Sequence, residues 1–230
     1  MAHKPLAIIP ARGGSKRFPR KNVALLHGKP LLAYAVEAAK ESSVFDAVCV
    51  SSDDDEILAI AKEYGADLAL KRPEKFATDT ARLIHVCKYL LESLTHEKRD
   101  YPVFGLILPT NPMRTAEDVR GAWKLFCEED CDGVMSVVPF IHPPQQAHRI
   151  QHRFIEPAFG MEYMVPAQQL EKLYIEDGSI TFIKTHVFLE RGELYGPRMA
   201  PYILPPDRSV DIDIPFDLEW AEFLMGRNAR

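Results

Sequence analysis

The chain is expected to be an α/β protein with a mostly parallel sheet covered by helices on both faces, and two observations predict this. Apolar strand-like runs alternate with helical segments of ten to fifteen residues through the first half of the sequence, the pattern of βαβ units. The runs are also nearly continuous in apolar residues, as strands buried on both faces must be. The first, LAIIP (6–10), leads into a glycine turn. KPLLAYAVEAAKES (29–42) reads as a helix with Pro30 in its first turn and Leu31, Leu32, Ala35, Val36 and Ala39 on one side. AVCVSS (47–52) is a strand. In the helix that follows it, Ile57, Leu58, Ala61 and Tyr64 share a face, Gly65 is the stop, and the acidic run Asp53–Glu56 favours capping and the helix dipole over metal chemistry.

DLAL (67–70) is a short strand. The segment 80–94 carries Leu83, Ile84, Cys87, Leu90, Leu91 and Leu94 at helical spacing, with Thr78, Asp79 and Thr80 as capping residues ahead of it. VFGLIL (103–108) is a buried strand, Thr115 and Asp118 form a capping box for a helix over about 116–128, and GVMSVV (133–138) is another strand. The periodicity fails over 139–178, which is rich in Pro, Gln and His. Compact domains seldom carry so long a structureless stretch, so it is expected to be an inserted lobe, a lid or an arm reaching a second subunit. Residues 1–138 and 179–230 then form the main domain: SITFIK (179–184) resumes strand character, and SVDIDIPFDLEWAEFLM closes as a strand running into a helix with Pro215 in its first turn.

Composition limits the function. The formal net charge is −5, which argues against general nucleic-acid affinity. No apolar run approaches the roughly 20 residues of a membrane span, and the N-terminal apolar stretch is too short for a secretion signal, so a cytoplasmic protein is expected. Cys49, Cys87, Cys127 and Cys131 lack a second Cys/His pair at zinc spacing and are read as ordinary thiols. His142, His148 and His152 have the wrong spacing for a helical metal pair and suit surface or substrate contacts.

Against this acidic background, IIPARGGSKRFPRKN (8–22) gathers Arg12, Lys16, Arg17, Arg20 and Lys21 onto a glycine loop. It follows the carboxyl end of the first strand, where open α/β sheets bind ligands. Glycines free backbone N–H groups to face a ligand, and the cations give charge-assisted bonds to phosphate oxygens. The loop is neither a Walker A nor a GxGxxG motif; a solvated surface loop is the plainer alternative. In SVDIDIP (209–215) a strand would aim Asp211 and Asp213 to one face and Val210, Ile212 and Ile214 to the core. Adjacent carboxylates suit a shared Mg²⁺, which takes one or two protein carboxylates and fills its shell with water and substrate phosphate; two solvated residues at a strand end are the alternative. Arg72 in KRPEKFATDTA (71–81) is positioned to meet a base or phosphate, and LPTNPMRT (108–115) lies at the same sheet edge.

These blocks, with HGKPLLAYAVEAA, VSSDDDEI and VDIDIPFDLEWAE, resemble the cytidylyltransferases that activate nonulosonic acids, the CMP-sialic, CMP-pseudaminic and CMP-legionaminic acid synthetases. The resemblance implies a Rossmann-like domain, a Mg²⁺-dependent enzyme and a homodimer whose excursion reaches the partner. It implies that Ala11, Arg12, Gly13, Ser15, Lys21 and Asn22 hold CTP, that Arg72, Thr80 and Ala81 lie against its base and ribose, and that Asp211 and Asp213 hold Mg²⁺. Arg12, Lys21, Asp211 and Asp213 are then the catalytic candidates. The implied reaction is attack of the sugar acid's anomeric hydroxyl on the α-phosphate of CTP with release of pyrophosphate.

Two departures fall on the sugar side: Leu108 stands where sialic-acid enzymes tend to have Gln in LLQPTSPLR, and Ala167 in PAQQ where an Arg tends to stand. Arg149, Gln168 and Gln169 are left as candidates for sugar contact. The alternatives are a cytidylyltransferase for another 2-keto sugar acid or a sugar phosphate, and a nucleotide-binding regulator without turnover. The carboxylate pair argues against the regulator, because it aims negative charge at an anionic ligand.

Overall fold

The computed structural model describes residues 4–78 and 81–228. Its centre is a seven-stranded sheet in the order β11-β7-β10-β6-β1-β4-β5. The strands are β1 (Leu6–Pro10), β4 (Ala47–Ser52), β5 (Leu68–Lys71), β6 (Val103–Leu106), β7 (Gly133–Pro139), β10 (Tyr174–Lys184) and β11 (Met199–Ile203). Strand β1 pairs in parallel with β4 on one side and with β6 on the other. The chain therefore reverses its direction of travel across the sheet at β1, and the glycine loop leaves from that switch point. Only β10 runs antiparallel, between β6 and β7.

Alternation along β1 explains the two cores. Ala7 and Ile9 join α1 (Leu31–Ser42), α2 (Asp55–Glu63) and α4 (Ala116–Glu128) on one face of the sheet. Leu6 and Ile8 join α3 (Leu83–His96) and α5 (Thr185–Arg191) on the other. Both faces are dry, which is why the strands carry apolar residues at odd and even positions alike. Burial raises the Cys49 and Cys87 thiols to about 12, so these two are core packing groups.

The expected elements are largely present, with three corrections. Pro30 belongs to a two-residue ribbon, β2 (Leu25–Leu26) with β3 (Lys29–Pro30), and α1 starts one residue later. Helix α3 starts at Leu83 with Arg82 in the cap position and no side-chain cap, so Thr78 does not cap it; Asp79 and Thr80 lie outside the described residues. The third correction concerns the closing segment. Residues 210–214 pair with no strand, and the last sheet strand is β11 instead. The segment is held by a third, small core in which Val210 and Ile212 pack with Leu26, Leu31, Met113 and two residues of α6 (Pro215–Asn228), Ala221 and Leu224. The alternation expected of a strand survives at Val210 and Ile212, because extended backbone alternates whether or not it is paired; it fails at Ile214, which is exposed where the chain turns into α6 and does not face the core.

Residues 139–178 are not structureless. β10 begins at Tyr174, ahead of the expected 179, and carries an irregularity between Glu176 and Thr181. A separate hairpin of β8 (His148–Gln151) and β9 (Phe154–Pro157) stands out from the domain. Its turn places His152 and Arg153 both at positive φ, as a two-residue type I′ connection requires. Short 3₁₀ turns at Pro144–Gln146, Met161–Tyr163 and Ala167–Gln169 complete the excursion.

Candidate active site

The glycine loop is folded by the acidic run that the sequence offered only as a helix cap. Asp54 does cap α2, accepting from the Glu56 and Ile57 amides. It also forms an ion pair with Arg20 at 2.9 Å, and Glu56 binds the same guanidinium. Asp53 accepts the Gly13 amide at 3.0 Å, so that N–H is turned to the protein and not to a ligand. Gly13 is required for another reason: a Cβ there would lie 2.8 Å from an Asp54 carboxylate oxygen. Gly14 faces open space, with no protein atom within 4 Å of a Cβ built there. Arg20, in the left-handed region at φ 57°, leads into a turn over Lys21–Val23. Asn22 locks this turn by donating its side-chain amide to the Arg12 carbonyl at 2.8 Å.

This leaves Arg12, Ser15, Lys16, Arg17 and Lys21 lining a cleft of about 450 Å³ at the carboxyl end of β1. Asn22, Arg72 and Ala81 also border it, and Phe76, Leu83 and Val86 give it an apolar part. Ala11 is fully buried beneath the loop, its amide bonded to the Ser51 carbonyl at 2.9 Å. Arg72 is buried and spends its guanidinium on the Ser51 and Phe76 carbonyls, leaving Nε without a partner among the described residues. Burial lowers its pKa, partly offset by Asp53.

Asp213 also lines the cleft, against the loop itself. It accepts Lys21 at 2.8 Å and Arg17 at 2.7 Å. Partial burial pushes its carboxyl up, but Lys21 and then Arg17 outweigh this and hold it below the usual range. The two aspartates are divided. Asp211 borders a second cavity of about 430 Å³, shared with Val138, Ile175, Glu176, Asp177 and Gly178. Its side chain is exposed at the mouth, yet the surrounding wall strips part of its hydration. That desolvation, with the like charge of Asp213, raises its carboxyl above the usual range against the opposing pull of the Thr110 hydroxyl and Lys21. The Asp217 carboxylate fixes the segment by accepting the Asp213 and Ile214 amides at 2.8 and 2.9 Å, and Thr110 does so through its carbonyl, which accepts the Ile212 amide at 2.8 Å. The cavities share a wall, since Leu108 of the cleft lies 3.0 Å from a Cβ built on Gly178 of the second cavity.

Basic loop, Arg72, Ala81 and Asp213 thus converge on one cleft, and Asp211 on its neighbour. Thr80 lies outside the described residues. Arg149, Gln168 and Gln169 border neither cavity: Arg149 is exposed on the hairpin opposite Glu156, and Gln168 and Gln169 sit on the 3₁₀ turn of the excursion. Sequence reasoning passed over Arg17 and Thr110 as site residues. Both lay inside motifs already singled out, and proximity to an aspartate remote in sequence is what distinguishes them.

The cytidylyltransferase family profile matches residues 6–143, the part of the chain that builds the loop, the Arg72 edge and the Leu108–Thr110 wall. The chain belongs to the cytidylyltransferase family. It is 33% identical to the pseudaminic acid cytidylyltransferase of Campylobacter jejuni, with 96% of each chain covered. To the CMP-N,N'-diacetyllegionaminic acid synthase of Legionella pneumophila it is 34% identical, with 97% of each covered. To the N-acylneuraminate cytidylyltransferase of Escherichia coli O18:K1:H7 it is 36% identical over 96% of this chain and 52% of that protein. The fold matches the solved structure of a CMP:2-keto-3-deoxy-manno-octonic acid synthetase complexed with CTP, with a TM-score of 0.70 at 16% identity over 98% of this chain and 99% of that one. This cytidylyltransferase therefore joins the family's fold to a cleft whose charge is concentrated on one loop. Among the described residues no helix is long and apolar enough to cross a membrane.

Proposed function

We propose that this cytidylyltransferase transfers CMP from CTP to the anomeric hydroxyl of a nonulosonic, sialic-acid-like sugar acid, with Mg²⁺ as its cofactor, in the cytoplasm. The carrying observation is the junction of two unlike cavities at one short segment, with Asp213 against the basic loop and Asp211 in the space beside it. The apolar lining from Phe76 and Leu83 suits a pyrimidine, and the basic lining suits its triphosphate. As phosphate oxygens arrive, Lys21 and Arg17 exchange Asp213 for the ligand and stabilise the charge that builds on the transferring phosphoryl group. Arg12 supports the same charge from the strand end.

The acceptor's hydroxyl enters from the Asp211 side. Its oxygen forms the new bond to the α-phosphorus, the bond to the β-phosphate bridge breaks, and pyrophosphate leaves with the electron pair. The hydroxyl proton is lost to solvent at the open mouth. Asp211 and Asp213 stand two residues apart and repel each other; with Lys21 and Arg17 turned from Asp213 to phosphate, the pair would offer two hard oxygen donors, and water and phosphate would complete the shell of a divalent cation. Once bound there, Mg²⁺ would supply Lewis-acid neutralisation of phosphate charge and acidify the attacking hydroxyl.

Residues 139–178 serve in this reading as a dimerisation arm inserted in the main domain. The hairpin exposes Ile150 and Phe154 at 78% each and Ile155 at 69%, more apolar surface than a free two-stranded ribbon sustains in water. A homodimer by sedimentation is the expected result. The function is tested by pyrophosphate release from CTP with a panel of nonulosonic acids, with and without Mg²⁺. Turnover with at least one acid, abolished by chelation, is expected; no turnover with any of them would overturn the proposal.

A further inference from the structure

The wall shared by the two cavities is built on an arginine that touches neither of them. Arg114 ends the loop 108–114 and is 3% exposed. Its Nε donates to the Ser179 carbonyl at 2.9 Å, across 65 residues of sequence, and its Nη2 donates to the Leu108 carbonyl. Nη1 has no hydrogen-bond partner among the described residues. Burial lowers the Arg114 pKa to about 10, with Asp177 and then Asp118 opposing the shift, so it stays charged at neutral pH. A buried guanidinium is costly to desolvate, and here it bridges the backbone of two segments, 108–114 and 177–179, just past the point where β6 and β10 stop pairing. Asn111, 1% exposed, adds a second tie by donating to the Asp177 carbonyl at 2.6 Å. The Asp177 carboxylate is in turn saturated by the Ser136 and Ser179 hydroxyls at 2.5 and 2.6 Å. Gly178 sits between these ties at φ 74°, a conformation other residues rarely adopt.

The clamped parts are the ones that matter to catalysis. Leu108 and Thr110 border the nucleotide cleft, Asp177 and Gly178 border the second cavity, and the Thr110 carbonyl holds the segment carrying both aspartates. We propose that Arg114, assisted by Asn111, is a positioning residue that sets the acceptor cavity at its working distance from the nucleotide cleft. The role rests on the CMP-transfer reading above. Lysine cannot reproduce it, because an ammonium lacks the planar fork that reaches two carbonyls at once.

Arg114→Lys keeps the buried charge and loses the fork. With the panel acid that turns over fastest, acceptor KM should rise about tenfold or more and kcat should fall, while CTP affinity by calorimetry stays within about twofold. Amide hydrogen exchange should speed up in 108–113 and 176–180 and stay unchanged in β1 and β4. Tyr202→Phe is the control: it removes a hydroxyl that donates to Asp118 at 3.3 Å, disturbing the same helix start without touching either loop, and it should alter neither reading. An unchanged acceptor KM, unchanged exchange, or CTP affinity falling in parallel would each overturn the assignment. If Arg114→Lys does not fold, Asn111→Ser must give the same split at smaller size, and its failure to do so overturns the assignment equally. A wild-type enzyme silent with every acid defeats the transfer reading alone, because the exchange comparison needs no acceptor and still decides the role of Arg114.

Discussion

The two cavities that meet at residues 211–213 carry opposite charge, though they share a wall. The cleft at the carboxyl end of β1 is lined by Arg12, Lys16, Arg17, Lys21 and Arg72 and by a single carboxylate, Asp213, which pairs with Lys21 and Arg17. The neighbouring cavity has three acids and no cation among its lining residues. Those acids differ in what they are free to do. Asp177 is consumed by two serine hydroxyls, and Glu176 accepts the Tyr195 hydroxyl at 2.7 Å, raising that phenol to about 12. Asp211 is left beside the Thr110 hydroxyl with its carboxyl pushed up. The contrast teaches that the basic loop alone makes an anion site; in the transfer reading proposed above, Asp211 is what distinguishes a catalytic cleft from a binding one.

The sharpest way to break the comparison is to neutralise the open acid. Asp211→Asn should lower kcat by about 10²–10³, the scale of losing one preorganised electrostatic contact to the reacting groups, with CTP affinity little changed. Near-normal turnover at low Mg²⁺ would remove Asp211 from the site. Next in size is Lys21→Ala. The Lys21 side chain is largely buried and bonded to Asp213, and a hydrogen bond to a charged group is worth about 1.5–3 kcal/mol, so kcat/KM for CTP should drop by about 10–100-fold. Kinetics equal to wild type would clear Lys21 of phosphate contact.

How far these residues were legible in the sequence follows from the same contrast. The basic loop could be read because its charges are contiguous and follow an apolar strand, and the doubly buried strands gave the fold class. The alternation of 210–213 was read correctly and its strand assignment was not. The side chains obey extended geometry, but pairing depends on whether a neighbouring strand has a free edge, and here the Leu26, Leu31 and α6 core holds the segment instead. The hairpin at 148–157 was missed because its turn puts His152 and Arg153 at positive φ, where Asn-Gly would have announced it. Asp53 was read as part of a cap because the partner it holds, the Gly13 amide, is 40 residues away in sequence. It becomes a neighbour only when β1 and β4 pair in parallel.

Arg17 sharpens the comparison from the exposed side. Its side chain is 70% exposed and reaches Asp213 at 2.7 Å. Exposed pairs contribute about 0–1 kcal/mol and are screened by salt. Arg17→Ala should therefore cost less than about tenfold in kcat/KM for CTP. The difference from wild type should shrink as salt is raised, whereas the Lys21→Ala defect should persist. A salt-independent loss in Arg17→Ala would mean that Arg17 becomes buried when nucleotide binds.

The smallest expected effect concerns stability, and its sign separates the two aspartates. A carboxyl raised in the folded state destabilises the fold above that pKa, and the penalty vanishes below the ordinary carboxylate range, where the group is protonated in both states. Asp211→Asn should thus raise Tm slightly at neutral pH, by the equivalent of about 0.5 kcal/mol or less because the side chain is exposed and screened. The gain should disappear as pH falls through the raised pKa towards the unfolded one. Asp213 has the opposite sign: its lowered pKa stabilises the fold at neutral pH, and that contribution is lost only as pH drops through the depressed value. Asp213→Asn should therefore lower Tm at neutral pH and converge on wild type in acid. Thermal melts of both variants from pH 7 to pH 3 check this, and two curves shifted in the same direction at pH 7 would show that the acidic and basic sides are not electrostatically distinct.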